Sequence, residues 1–245
     1  MRACIIGASA GLGRAIAEQI AGRAEHLYLV ASDQSDLDAM AADLSIRHAV
    51  TVHTAALDLR NCDPNALYAD VVAKMEEIDT LFLVAGFSSK DDNGAVADSL
   101  ANTILTVNFT GPVRIANAFL DRLAGVAGAN IVVCGSVATA RPRRGNALYA
   151  SAKKGLEFYA QAIRHTFANI NSPCKVQVYH LGYLKTRMTF GQKLLFPAAE
   201  PDNVAKIIIS NLGKDIPGLC IPKWWTVITT VFKLVPWAIF KKMNI

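Results

Sequence analysis

The sequence predicts an α/β fold, a doubly wound parallel β-sheet with helices on both faces. Three observations carry that prediction. Short apolar runs alternate with longer helical patterns along the whole 245-residue chain, as in β-α units that build a parallel sheet. Runs such as Ile131-Val132-Val133-Cys134 are apolar at every position, which suits strands covered on both sides. The first run passes straight into the turn Gly7-Ala8-Ser9-Ala10-Gly11-Leu12-Gly13 and then an Ala-rich helix, the Rossmann-type opening. In chain order, the apolar run at 3–6 is a strand and the Ala-rich stretch at 11–22 a helix. A strand at 26–31 leads to a helix at 35–46, and a strand at 49–56 to a helix at 63–76. The second half repeats the pattern. Strands fall at 80–85, 129–134, 175–180 and 218–221, with helices at 98–124, 146–170 and 201–213 between them.

Hydrophobic residues make up 52% of the chain and charged residues 18%, enough for a substantial core and unlike a disordered composition. No repeat, linker or low-complexity stretch divides it, so residues 1–245 read as one domain, with 222–245 an apolar C-terminal extension. The net charge of +5 comes from scattered basic residues. Two clusters, Arg141-Pro142-Arg143-Arg144 and Lys241-Lys242, come with no nucleic-acid-binding motif, and no nucleic-acid partner is expected. Cys4, Cys62, Cys134, Cys174 and Cys220 are isolated and lack metal-ligand spacing. They read as free thiols in a reducing cytoplasm, with no metal site. The apolar run at 3–6 is too short for a signal peptide, so a cytoplasmic location is expected.

At the first turn, Gly7, Ser9, Gly11, Leu12 and Gly13 form a candidate cofactor loop, where glycines let the backbone approach a pyrophosphate at a helix N-terminus. An ordinary glycine turn is the alternative. Asp58 and Leu59 end the third strand, where the carboxylate could accept from an adenine amino group. Ala85-Gly86 ends the fourth and leaves room for the cofactor. The second strand ends Ala31-Ser32-Asp33. An acidic residue at the tip would bind ribose hydroxyls and exclude a 2′-phosphate. Ala31 and Ser32 there favour NADP(H), although no Arg stands at Ser32 or Ala10 and NAD(H) stays open.

Tyr149 and Lys153 stand four residues apart on one face of the helix expected at 146–170. A phenol of pKa ~10 is a poor proton carrier at neutral pH, and a fixed positive charge beside it favours the phenolate. Ser136 lies upstream, as does Asn108, four residues before Pro112. Proline has no N–H for the carbonyl of residue 108, which is then free to hold a water. A simple kink or a helix starting near Pro112 is the alternative.

Together these residues resemble the short-chain dehydrogenase/reductase family over about the whole chain. Gly7-x-x-x-Gly11-x-Gly13 matches its cofactor loop, and Asn108, Ser136, Tyr149 and Lys153 match its catalytic tetrad. The resemblance implies an NAD(P)H-dependent ketoreductase or alcohol dehydrogenase. In it, Ser136 and Tyr149 bond the substrate carbonyl and Tyr149 gives the proton. Lys153 binds the nicotinamide ribose and lowers the Tyr149 pKa, Asn108 holds a relay water, and Thr186 contacts the carboxamide. Two departures stand out. Leu83-Val84-Ala85-Gly86 replaces Asn-Asn-Ala-Gly, and Leu181-Gly182 replaces Pro-Gly.

Arg141, Arg143 and Arg144 lie between Ser136 and Tyr149 and are candidate contacts for an anionic substrate, or else a solvated loop. The C-terminal extension is interrupted by Lys233 and Pro236 and is no membrane span. Trp224, Trp225 and Trp237 with flanking lysines fit a helix lying in a membrane interface, and equally a lid or a subunit contact. A narrower resemblance joins Arg143-Arg144-Gly145-Asn146, Lys185-Thr186-Arg187-Met188-Thr189 and this tail to the decaprenylphosphoryl-2-keto-pentose reductases. It implies a keto-sugar on a lipid phosphate, in cell-envelope glycan synthesis, with the enzyme peripheral at the inner membrane face. A homodimer or homotetramer through the helices at 98–124 and 146–170 is a further expectation. Other readings are a non-catalytic dinucleotide-binding redox sensor and a sugar-nucleotide epimerase.

Overall fold

The computed structural model describes residues 1–243. Seven strands form one parallel sheet: β1 (Arg2–Ile6), β2 (His26–Ala31), β3 (Thr51–Ala56), β4 (Thr80–Leu83), β5 (Asn130–Ser136), β6 (Lys175–Leu181) and β7 (Leu219–Ile221). Their spatial order is β3-β2-β1-β4-β5-β6-β7, every pair parallel. The order reverses beside β1, so the C-terminal ends of β1 and β4 open a crevice, the place where doubly wound sheets bind ligands.

The helices are α1 (Gly11–Ile20), α2 (Gln34–Arg47), α3 (Pro64–Met75), α4 (Asp98–Leu105), α5 (Gly111–Ala124), α6 (Ala147–Asn169), α7 (Pro201–Ser210), α8 (Trp225–Leu234) and α9 (Trp237–Phe240). β5 is buried along its whole length because both faces are covered. On one face Val30, Ile131 and Val133 meet Leu67, Phe119, Leu156 and Phe167 from α3, α5 and α6. On the other, Ile5, Leu29 and Phe82 meet Ile16, Leu37 and Ile208 from α1, α2 and α7.

The elements fall where the sequence puts them, with three differences. The helix expected at 98–124 is divided: a π-helical turn, Thr106–Thr110, joins α4 to α5, and the Gly111 N–H reaches back to the Thr106 carbonyl. Pro112 then sits in the first turn of α5, where a missing N–H costs no helical bond. The fourth strand stops at Leu83, since Val84 and Ala85 both donate to the one carbonyl of Ile6 and leave the ladder. The extension at 222–245 contains α8 and α9. Trp225 and Phe240 are buried in the fold, Trp224 and Trp237 are exposed, and the last two residues of the extension lie outside the described region.

Candidate active site

The cofactor end is built by close backbone approach. Gly7 has φ 94°, and a Cβ there would lie 2.7 Å from the Ala85 backbone. A Cβ on Gly13 would lie 2.0 Å from the Gly7 carbonyl oxygen, so only glycine lets α1 start directly behind β1. Gly11 faces the Thr186 methyl, which brings the carboxamide candidate against the loop. α1 has no side-chain cap and no acidic residue in its first turn. Its free N–H groups therefore suit a pyrophosphate.

These residues border a cleft of about 980 Å³ that runs over the C-terminal ends of the strands. It is lined by Gly7, Ser9, Gly11, Leu12, Gly13, Ser32, Asp58, Leu59, Ala85, Gly86, Ser136, Tyr149, Lys153 and Thr186. The sequence candidates for cofactor thus share one cavity with three of the four catalytic candidates. Asp58 differs from expectation in one respect. Arg60 grips its carboxylate from Nε and Nη2, the latter at 2.5 Å, and holds it below the usual carboxylate range. Arg60 also lines the cleft, with its guanidinium on Asp58.

At the other end, Ser136 closes β5, and Tyr149 and Lys153 stand on successive turns of α6. Lys153 is buried, and its Nζ donates to the carbonyls of Ala85 at 3.0 Å and Cys134 at 3.1 Å. Burial draws its pKa down to about 8. The Tyr149 phenol behaves otherwise than the sequence suggests. Burial raises its pKa above the ordinary phenol value, with the Ser136 hydroxyl opposing, and the Lys153 ammonium does not bring it down. The physical reason is that desolvation disfavours the phenolate while the ammonium is held by two carbonyls.

Asn108 is fully buried behind the cleft, in the π-helical turn. Its Nδ2 donates to the carbonyls of Phe87 (2.7 Å) and Ile104 (2.8 Å), and its Oδ1 accepts from the Phe87 N–H at 3.1 Å. It clamps the chain just past β4, where the Asn-Asn-Ala-Gly pattern is missing. The three arginines part company. Arg141 donates to the carbonyls of Phe232 (2.5 Å) and Val235 at the end of α8 and stacks 4.0 Å over the Phe240 ring. It anchors the C-terminal helices and is not free for an anion, because the last carbonyls of a helix attract a cation. Arg144 donates to the Asn93 carbonyl at 3.1 Å and does not line the cleft. Arg143 lines it, half-buried, with no carboxylate paired to it among the described residues.

A sequence profile described as short chain dehydrogenase matches residues 1–193. The chain belongs to the short-chain dehydrogenase family. It is an NAD(P)-dependent oxidoreductase of that family. It is 28% identical over 233 residues to the hydroxysteroid 11-beta-dehydrogenase 1-like protein B of Xenopus laevis, covering 91% of this chain and 78% of that protein. The 3-oxoacyl-[acyl-carrier-protein] reductase FabG of Escherichia coli is 27% identical over 190 residues, 76% of this chain and 75% of that one. Among solved structures, an alcohol dehydrogenase of the archaeon Thermococcus sibiricus, complexed with 5-hydroxy-NADP, superposes with a TM-score of 0.77. It is 25% identical, and the match covers 89% of this chain and 94% of that one.

This short-chain dehydrogenase carries features that sequence reasoning passed over. Tyr183 and Phe196 pack edge to face on Trp225, with centroids 5.8 and 4.9 Å away, and all three line the cleft with Phe232 and Phe240. A Cβ on Gly182 would fall 1.9 Å from Trp225 Nε1, so the glycine at 182 accommodates the indole. The signal in the sequence was the Trp224-Trp225 pair; nothing local showed which ring turns inward.

Proposed function

We propose that this short-chain dehydrogenase uses NADPH to reduce the keto group of a sugar carried on a polyprenyl phosphate. The observation that carries the reading is the mixed lining of one cleft. The glycine cradle, Ser136 and Tyr149, half-buried Arg143 and the aromatic side chains of Tyr183, Phe196, Trp225 and Phe232 all line it. A keto-sugar at Tyr149, its phosphate toward Arg143 and its apolar chain against the rings would use each zone.

Gly7, Gly11 and Gly13 leave room for the dinucleotide, and the first turn of α1 takes its pyrophosphate. Ser32 and Arg60 would hold a 2′-phosphate, and Thr186 the carboxamide. Bound there, the cofactor supplies hydride to the carbonyl carbon. Ser136 donates a hydrogen bond to the carbonyl oxygen and holds it beside Tyr149. The Tyr149 phenol passes its proton to that oxygen, and its raised pKa keeps it protonated and ready as the acid. Lys153, fixed by Ala85 and Cys134, would hold the ribose. Asn108 supplies the carbonyl that holds the relay water.

The outer face of α8 and α9 presents Val227, Leu234, Trp237 and Ile239, all exposed, with Lys223, Lys233, Lys241 and Lys242 also exposed around them. Apolar residues rimmed by lysines fit an anionic bilayer surface, the place where a polyprenyl substrate resides. Among the described residues no helix is long and apolar enough to cross a membrane. The deciding experiment follows NADPH oxidation with a polyprenyl-phosphate keto-sugar beside soluble ketones of the same sugar. A kcat/KM preference of about 100-fold for the lipid-linked form, lost in Arg143→Ala, is expected. Equal rates on both would overturn the lipid assignment.

A further inference from the structure

We infer that Asp92 is a positioning residue for Tyr149, acting on the proton donor from a loop that also borders the cleft. α6 begins at Asn146, whose φ of 60° puts it in the left-handed region and whose side chain caps nothing. The first-turn N–H groups of a helix lack intrahelical partners. Here a residue from the loop past β4 supplies them. Asp92 Oδ1 accepts from the Leu148 N–H at 3.0 Å, and Oδ2 accepts from the Tyr149 N–H at 2.9 Å. The Asp92 carbonyl accepts from the Asn146 N–H at 2.7 Å.

Asp92 is 2% exposed. A carboxylate buried to that degree is tolerated only when it is well bonded, and the positive end of α6 adds a favourable field. The segment from Phe87 to Asn93 is tied at its other points too. Asn108 clamps Phe87 from both sides, and Arg144 holds the Asn93 carbonyl. Between these ties, Phe87, Ser88, Ser89 and Lys90 line the cleft. The place of the Tyr149 backbone is therefore set by a carboxylate that belongs to the segment facing the ligand.

This inference rests on Tyr149 being the proton donor, and its test keeps the two apart. The full chain is compared with Asp92→Ala, Asp92→Asn and Tyr149→Phe, using NADPH and 9,10-phenanthrenequinone as the carbonyl probe. Asp92→Ala is expected to lower kcat at least about tenfold, as misplacement of a reacting group does, while the NADPH Kd from cofactor fluorescence stays within about twofold. The solvent deuterium isotope effect on kcat should rise, because proton delivery becomes slower. Asp92→Asn keeps one acceptor oxygen and should fall between, and it carries the test by itself if the alanine variant does not fold. In the wild type, the amide protons of Leu148 and Tyr149 should resonate downfield and move upfield in Asp92→Asn. A kcat within about twofold of wild type in the folded variants, or an equal loss of kcat and of NADPH affinity, overturns the inference. A Tyr149→Phe variant as fast as wild type overturns the catalytic reading itself, and a wild type inert toward the quinone is assayed with the polyprenyl-phosphate keto-sugar, where inertness too overturns that reading.

Discussion

Burial draws the Lys153 ammonium to about 8, below its ordinary 10.5, so the folded protein releases this proton before the unfolded chain does. Stability from this group is complete above pH 10.5 and is lost as pH falls through 8, which means the ammonium opposes folding at neutral pH. Lys153→Met should remove the wild type's rise in unfolding free energy between pH 8 and 10.5, a rise on the order of 3 kcal/mol or less. Urea melts of both proteins across that window check it, and parallel curves would refute it. Tyr149→Phe should lower turnover by about 1,000-fold or more with NADPH binding retained. Arg60→Ala should weaken NADPH about tenfold and leave NADH within about twofold, measured by cofactor fluorescence. Tyr149 and Lys153 were legible as a pair because a fixed spacing on one helix brings chemistry together, while Ser136 comes from the end of β5. The states of their protons were not. A phenol beside a lysine reads as acidified, yet the sequence does not tell that Ala85 and Cys134 take up the ammonium.

At the level of elements, the strands were readable because double-sided burial leaves no polar position to confuse them. The π-helical turn was only half readable. Pro112 announces a break, but whether the chain kinks or widens depends on Asn108 reaching Phe87 in the loop past β4. Arg141 teaches the same lesson, since its partners Phe232 and Val235 are about ninety residues away. Replacing Arg141 with Ala should leave the last carbonyls of α8 without their donor and loosen α8 and α9. Limited proteolysis should then cut near Val235 about tenfold faster, and KM for bulky carbonyls should rise while kcat for small ketones holds. Unchanged cleavage would show that packing of Trp225 and Phe240 holds these helices without Arg141.

For the whole molecule, the crevice at the strand reversal follows from sheet order, and order is set by long-range pairing that no local pattern displays. Composition pointed to a substantial core and away from disorder, and the alternation of apolar runs with helical patterns to the α/β class. Leu234→Glu combined with Trp237→Glu places charges at residues 77% and 65% exposed, so the fold should be unaffected. Sedimentation with vesicles rich in phosphatidylglycerol should show at least a tenfold loss of binding, about what two buried apolar side chains contribute. Retained binding would leave the face as a contact between copies of the chain, visible by analytical ultracentrifugation.

All three tryptophans of the chain, Trp224, Trp225 and Trp237, belong to the C-terminal helices and their approach. Every photon of indole emission therefore originates from this one region, and Trp225 emits from the wall of the cleft itself. The dihydronicotinamide absorbs where indole emits, so cofactor docking should appear as resonance energy transfer, and movement of α8 as a change in emission colour. The protein carries its own optical gauge of an opening or closing cleft, readable on the unlabelled chain in a stopped-flow mixer.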